Sequence, residues 1–316
     1  MSTDYSVLID AETWAFIERT NSFYPPDAVE YTVAQQREVY NRMCRGFFVG
    51  YPQSVSSADR FVDADSRKIP VRIYDKENTT PEAICLYFHG GGFVVGGLDS
   101  HDDVCAEICD AAGFRVISVD YRLAPEHVHP ASFEDCLAVF EHVAATSALP
   151  IVLCGDSAGG NLVAAVSHYV RHSDRAPIGQ VMIYPGLGGA QNEGSYVTHA
   201  EAPMLTTRDT VYYAKVRSGD HDWSKDPRFA PLADTDFSNL PDTIVISAEC
   251  DPLSDDGRHY CERISADGGK AIWNNEPGLV HGYLRARHSV ERARSSFRRI
   301  CTAVHLLGQG RWPGQL

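Results

Sequence analysis

The chain has 316 residues, of which 44% are hydrophobic and 22% are charged, and its formal net charge is −14. These proportions are typical of globular proteins, and the strong negative charge argues against nucleic acid or an anionic membrane surface as a partner. The acidic first residues and the lack of an apolar run of about eighteen residues predict no signal peptide and no membrane span. We therefore expect a cytoplasmic protein.

Nine cysteines are an odd number in a long chain, which predicts reduced and mostly buried thiols rather than a disulfide framework. Their spacing to one another and to the histidines matches no zinc motif, so we expect no structural metal. Cys250 is expected to differ, because it adjoins a candidate catalytic residue and should be accessible to thiol reagents.

The first fifty residues carry apolar side chains at helical spacing, interrupted by a turn-like segment at residues 24–27. This pattern predicts helices joined at a proline break. Residues 60–74 then alternate between apolar and polar types on both sides of a polar turn at residues 66 and 67. The alternation predicts a β-hairpin that opens a sheet.

Six short apolar runs follow, separated by segments long enough for helices. The runs occupy residues 83–89, 114–120, 151–156, 180–185, 243–249 and 270–275, and the helices are expected near 101–112, 132–146, 158–173, 253–267 and 288–306. Runs of this kind are typical of strands buried on both faces of a parallel sheet. The alternation predicts an α/β fold with a mostly parallel, twisted sheet flanked by helices.

One interval is too long for a simple crossover, because nearly sixty residues separate Tyr184 from Thr243. A structureless loop of that length would be unusual in a compact domain. We therefore expect a cap insertion at about residues 187–225, with a helix near 207–215, that folds over the sheet beside the N-terminal helices.

The motif with the most specific chemistry is GDSAG at residues 155–159, placed between an apolar strand and a helical run. A turn this sharp requires glycine and lifts the hydroxyl of Ser157 above the sheet, as in a nucleophile elbow. The alternative is a glycine-rich turn whose serine only caps the helix. The strand-to-helix context favours the nucleophile.

A serine nucleophile needs backbone N–H groups for the oxygen that becomes negative. Residues 89–92 read HGGG and follow a predicted strand, so their backbone can approach a substrate closely. We predict an oxyanion hole formed by the amides of Gly91, Gly92 and Ala158. His89 and Gly90 are expected to support this loop, and a merely flexible turn is the alternative.

The acid of the triad should follow the strand at residues 243–249, since the chain order in such hydrolases is serine, acid, histidine. Asp251 lies best at the exit of that strand, and Glu249 is the second choice. Asp255 and Asp256 are more readily explained as solvated charges in the first turn of a helix.

The general base must be chosen among thirteen histidines. His281 lies in a loop after the last predicted strand and beyond the acid, which is the position that the chain order requires. The other histidines in the C-terminal part are expected on helices, namely His259, His288 and His305.

Together these segments resemble the hormone-sensitive-lipase-like branch of the α/β-hydrolases, a group of bacterial esterases. The matching segments are HGGGFVVGGLDSHD (89–102), DYRLAPEH (120–127), GDSAGGNL (155–162), YPG (184–186), ECDPLSDDG (249–257) and HGY (281–283). The resemblance implies an eight-stranded hydrolase sheet over residues 51–316, an N-terminal helical cap over residues 1–50, and no cofactor. It also implies a triad of Ser157, Asp251 and His281. Val128-His129-Pro130 departs from the proline and aromatic pattern usual in the family.

The predicted function is that of a serine carboxylesterase acting on small esters of short to medium chain length. A lactonase, amidase or deacetylase, or a ligand-binding protein without activity, would share much of this pattern. Tyr24, Phe93, Tyr212 and Tyr213 are candidates for the substrate pocket, although such aromatics are as often core residues. The last predicted strand offers an edge through which a homodimer could form.

Overall fold

The computed structural model describes residues 3–24, 31–64 and 67–315, and its centre is a single eight-stranded sheet. The strands are β1 (Val55–Ala64), β2 (Arg67–Lys76), β3 (Ile84–Phe88), β4 (Arg115–Val119), β5 (Ile151–Asp156), β6 (Gly179–Ile183), β7 (Asp242–Cys250) and β8 (Ala271–Val280). Their order across the sheet is β1-β2-β4-β3-β5-β6-β7-β8. The pairs β1–β2 and β2–β4 are antiparallel and all others are parallel. The predicted fold class is thus confirmed.

Helices cover both faces of the sheet. They are α1 (Tyr5–Leu8), α2 (Ala11–Asn21), α3 (Val33–Phe47), α4 (Asp102–Ala112), α5 (Ala131–Thr146), α6 (Ala158–Val170), α7 (Ser195–Thr198), α8 (Thr207–Ser218), α9 (Ser254–Ala266) and α10 (Glu291–Gly308). Side chains of α4 and α10 pack in the core on one face, and those of α5, α6 and α9 pack on the other. Every residue of the central strands β3, β5 and β6 is buried, which explains their unbroken apolar runs.

The sequence predicts the strands and helices described next, but it places some of their ends inaccurately. The last strand is longer than expected, because β8 continues through Pro277 to Val280 and delivers His281 directly from the sheet. A proline is tolerated there since β8 lies at the edge of the sheet. The inserted helix α8 also extends three residues beyond the predicted end. Parts of the two predicted turns, at residues 25–27 and 66, lie outside the described residues.

All nine cysteines are free and buried, as predicted. The expectation for Cys250 is wrong, because its side chain is fully buried and burial raises the pKa of its thiol to about 12. Asp251 is itself fully buried, so a position next to it in the chain does not expose this cysteine. Within the described ranges, no helix has both the length and the apolar character needed to cross a bilayer.

Candidate active site

Ser157 occupies the sharp turn between β5 and α6, with backbone angles φ 52° and ψ −116°. Such a conformation is uncommon for a residue with a side chain and indicates local strain. The turn closes only because its glycines leave room for neighbouring backbone. A Cβ on Gly159 would lie 1.8 Å from the carbonyl oxygen of Phe88, and one on Gly155 would lie 2.7 Å from Gly159.

The three side chains of the predicted triad lie in one hydrogen-bonded line. His281 Nε2 is 2.9 Å from Ser157 Oγ, and His281 Nδ1 is 2.6 Å from Asp251 Oδ2. The Asp251 carboxylate is fully buried, and its second oxygen accepts a hydrogen bond from the backbone N–H of Leu253 at 2.9 Å. This carboxylate can hold one orientation of the imidazole and stabilise its positive charge.

The other carboxylates near the end of β7 are used elsewhere. Glu249 accepts a hydrogen bond from the backbone N–H of Gly278 at 2.7 Å, and so braces the end of β8. The prediction that Asp256 is a solvated charge is wrong, because it is buried and accepts a bond from Leu187 N–H at 2.6 Å. Asp255 accepts from the backbone N–H of Ser195 at 2.8 Å. Both therefore tie the insertion to α9.

The remaining histidines named above are engaged away from Ser157. His259 lies on α9 beside Arg258, and the ring of His305 donates from Nδ1 to the carbonyl of Ala112 at 2.9 Å. His288 lies in the turn before α10 rather than on a helix, where its Nε2 is 2.8 Å from Glu107.

The residues predicted for the oxyanion hole line the cavity into which Ser157 faces. Gly91, Gly92 and Ala158 line the same cavity as Ser157, and within the described ranges their N–H groups donate to no protein acceptor. Gly91 and Gly92 have φ angles of 130° and 61°, which glycine adopts without strain. The cavity of Ser157 is therefore lined by residues with unpaired backbone donors, which a negatively charged oxygen would require.

Asp156, for which the sequence predicts no function, connects the turn at Ser157 to the loop at residues 89–92. Its Oδ1 accepts from the backbone N–H of Gly90 at 2.9 Å and from the hydroxyl of Tyr87 at 2.8 Å. Its Oδ2 lies 3.2 Å from Nε2 of His101. Although burial favours the neutral acid, these partners and the charge of Arg285 hold the pKa of Asp156 well below its usual value. Only its place beside the serine in the motif could have suggested this function.

His89 is fully buried at the start of the HGGG loop. Its Nδ1 donates to the carbonyl of Gly90 at 2.8 Å, and its ring stacks on Tyr121 with centroids 4.3 Å apart. Burial lowers the pKa of His89 to about 4, so the ring is neutral at physiological pH. The hydroxyl of Tyr121 also donates to the carbonyl of His89 at 2.6 Å, which fixes the start of the loop.

A cavity of about 630 Å³ opens above Ser157. Of the four aromatic pocket candidates, Tyr24, Phe93 and Tyr213 line it. Tyr212 is not among its lining residues. Its side chain is 39% exposed, and its hydroxyl accepts a hydrogen bond from Gln36 Nε2 at 3.2 Å. Adjacent residues of a helix point in different directions, which explains why only one of the two tyrosines of α8 reaches the cavity.

The architecture is that of an α/β-hydrolase. A family profile described as alpha/beta hydrolase fold matches residues 85–285. The chain belongs to this family, and its resemblance to the hormone-sensitive-lipase-like branch is confirmed.

Individual relatives are named as esterases. The esterase LipI of Mycobacterium tuberculosis is 35% identical over 263 residues, which cover 80% of this chain and 82% of the relative. An ethyl acetate hydrolase of Pseudomonas putida is 32% identical over a region that covers 72% of this chain and 76% of that relative. An esterase of known structure from Pyrobaculum calidifontis is 28% identical in sequence and superposes with a TM-score of 0.85. The match covers 94% of this chain and 98% of the esterase chain.

Proposed function

We propose that this protein is a serine carboxylesterase that hydrolyses short- to medium-chain carboxylic esters through an acyl-enzyme. The observation that carries the proposal is the hydrogen-bonded line from Asp251 through His281 to Ser157, set beside unpaired backbone amides in an open cavity. The names of the relatives, which include esterases and an ethyl acetate hydrolase, support an ester as the small-molecule substrate.

In the first half of the reaction, His281 Nε2 takes the proton of Ser157 as Oγ forms a bond to the ester carbonyl carbon. The electron pair of the C=O bond moves to the oxygen, which accepts hydrogen bonds from the amides of Gly91, Gly92 and Ala158. When the carbonyl re-forms, the bond to the alcohol oxygen breaks. The departing alcohol takes the proton from His281, and the acyl group stays on Ser157.

In the second half, His281 takes a proton from water as the water oxygen adds to the acyl carbon. The same amides bind the second oxyanion. The bond to Ser157 Oγ then breaks, Oγ regains its proton from His281, and the carboxylic acid leaves. Asp251 holds the orientation of the imidazole and stabilises the imidazolium that forms in each half.

We propose that the N-terminal helices and residues 187–225 act as the cap of the active site. Thr20 of α2 and Tyr40 and Met43 of α3 line the cavity, and Tyr196 and Tyr213 line it from the insertion. Sequence segments distant from the hydrolase motifs therefore surround the site at which a substrate would bind. Their side chains would set the acyl and alcohol preference.

We also propose that the enzyme acts in the cytoplasm as a homodimer. Nine free cysteines favour a reducing compartment. The strand β8 forms an edge of the sheet at which a second copy could pair. Light scattering on the purified protein tests the dimer, because a monomer at micromolar concentration would contradict it.

A direct test of the main proposal combines a probe of the nucleophile with a substrate panel. A fluorophosphonate should label Ser157 in the wild type and give no adduct in Ser157→Ala. Hydrolysis of butyl acetate, a γ-lactone and N-butylacetamide should then be compared at equal substrate concentration. Turnover of the ester at least tenfold above the other two is expected. Faster hydrolysis of the lactone or the amide would replace the carboxylesterase assignment with another acyl hydrolase.

A further inference from the structure

A positively charged side chain belongs to the wall of the active-site cavity. Arg285 lies in a short 3-10 helix at Tyr283–Ala286, four residues after His281, and it lines the cavity together with Ser157 and Gly282. Nothing in the proposed chemistry of ester hydrolysis uses this guanidinium.

The hydrogen bonds of Arg285 leave part of its donor capacity unused. Its Nη2 donates to the hydroxyl of Tyr40 at 2.6 Å and lies 3.4 Å from Sγ of Cys44. The Nε is buried without an acceptor, and Nη1 forms no hydrogen bond with the described part of the chain. A guanidinium carries five N–H donors, and the two on Nη1 are neither buried nor paired with any described residue, so they remain for a ligand.

Arg285 also lacks a carboxylate partner, in contrast to an arginine two residues away. Arg287 forms ion pairs with Asp103 at 2.8 Å and with Glu107 at 2.7 Å. No ion pair joins Arg285 to any carboxylate within the described ranges. Taking a charge out of water is costly unless an opposite charge compensates it, and an anionic ligand would provide that compensation.

The carboxylates that share the cavity are already engaged. Asp156 is held by Gly90, Tyr87 and His101, as described above. Asp209 caps α8 by accepting from the backbone N–H of Thr206 at 2.9 Å and from its hydroxyl at 2.6 Å. The charge of Asp156 acts on Arg285 without direct contact, and neither acid occupies the free donors of the guanidinium.

We infer that Arg285, together with the hydroxyl of Tyr40, forms an anion subsite in the active-site cavity, and that the enzyme takes esters that carry a carboxylate. Monoesters of dicarboxylic acids are the simplest members of this class. The planar fork of an arginine can bind a carboxylate with two parallel hydrogen bonds, which fixes the orientation of the ester as well as its affinity. The inference rests on the proposed esterase function and specifies its substrate.

A purely structural function of Arg285 predicts different behaviour. If the side chain only ties α3 to the loop of His281, or only stabilises the charge of Asp156, its loss would slow all esters by a similar factor. If it binds a substrate anion, its loss would slow the anionic ester selectively. The ratio of kcat/KM for two esters of equal length therefore separates the alternatives.

The experiment uses two pairs of substrates and follows acid release. In the first pair, monomethyl adipate carries a carboxylate on the acyl side, and methyl hexanoate is its neutral partner. In the second pair, 5-acetoxypentanoate carries a carboxylate on the alcohol side, and pentyl acetate is its neutral partner. In the wild type, kcat/KM for the charged ester should exceed that for its neutral partner at least tenfold in one pair. In Arg285→Met that ratio should fall at least tenfold, and Arg285→Lys should retain part of it.

The control is Arg298→Met, which removes the same charge from an arginine that is 71% exposed on α10 and outside the cavity. Its ratio of kcat/KM for the charged ester to kcat/KM for the neutral ester should equal that of the wild type. This result would exclude a general effect of net charge. A wild-type ratio of charged to neutral ester below ten in both pairs would overturn the inference, even if Arg285→Met fails to fold. An equal loss on both esters in Arg285→Met would do the same. In either case continued hydrolysis of methyl hexanoate leaves the esterase proposal standing, whereas no turnover of any ester refutes that proposal itself.

Discussion

His281 Nε2 lies 2.9 Å from Ser157 Oγ, although 124 residues separate the two in the chain. The strand β8 ends one residue before the histidine, and β5 ends one residue before the serine. Both side chains therefore emerge at the carboxyl ends of strands, where loops of an open parallel sheet converge. Their relative position depends on the sheet rather than on local sequence.

The first prediction concerns the nucleophile. Ser157→Ala removes the oxygen that would form the acyl-enzyme, so we expect kcat for 4-nitrophenyl butyrate to fall about 10⁴-fold or more. The melting temperature should stay close to that of the wild type, because the change removes one oxygen from a partly exposed side chain. Ser173→Ala, in an exposed turn, is the control and should keep full activity. Retention of more than a tenth of the activity by Ser157→Ala would exclude the proposed mechanism.

The second prediction distinguishes the two acids at the end of β7. Asp251→Asn keeps the shape of the side chain but removes the charge beside His281, and we expect kcat to fall about 10⁴-fold. Glu249→Gln should lose less than tenfold, since its amide oxygen can still accept from Gly278 N–H. Steady-state kinetics of both variants decide the matter. The reverse order of effects would make Glu249 the acid.

Much of the fold and site could be predicted because the signals are local. Apolar runs marked the strands, and glycines marked the elbow around Ser157 and the loop at Gly91 and Gly92. These glycines are required by neighbouring backbone, as the 1.8 Å approach at Gly159 illustrates. Such requirements appear in the sequence as a fixed residue type at a fixed position.

The rest depends on which face of an element meets which neighbour. The sequence predicts that Asp256 lies in water, but its side of α9 meets the insertion, whose path the sequence does not reveal. The surroundings of the Tyr212 and Arg285 side chains depend in the same way on how helices α8 and α3 pack against the rest of the protein. The exposure of Cys250 cannot be inferred from its neighbour Asp251, because the catalytic position of that residue does not prevent it from being fully buried.

The third prediction concerns the thiols. All nine cysteines are buried, and burial also raises the pKa of the Cys250 thiol to about 12, so we expect burial to protect the thiols from reagents near neutral pH. Ellman's reagent should therefore react with no thiol within minutes in the native protein and with nine in 8 M urea. One rapid thiol in the native enzyme that disappears in Cys250→Ser would show that this residue is accessible after all.

The fourth prediction uses His129, at the position where the chain departs from its family. Its side chain is buried against Trp223 and Phe229, and its Nε2 lies 3.3 Å from Asp226 Oδ2. Burial, and secondly the charge of Arg217, lower the pKa of His129 to about 4 in spite of that carboxylate. In the unfolded chain a histidine has a pKa of about 6.5. The unfolded state therefore binds the proton first as the pH falls.

The consequence is a loss of stability between pH 6.5 and pH 4, with about 2 kcal/mol lost through His129 by pH 5. His129→Gln cannot lose this contribution, so its deficit in unfolding free energy relative to the wild type should shrink by about 2 kcal/mol from pH 7 to pH 5. Urea denaturation at the two pH values measures it. Trp223→Phe disturbs the same aromatic cluster without removing a titratable group, and its deficit should be equal at both. A deficit of His129→Gln that stays constant would mean that the imidazole is as easily protonated in the folded protein as in the unfolded chain.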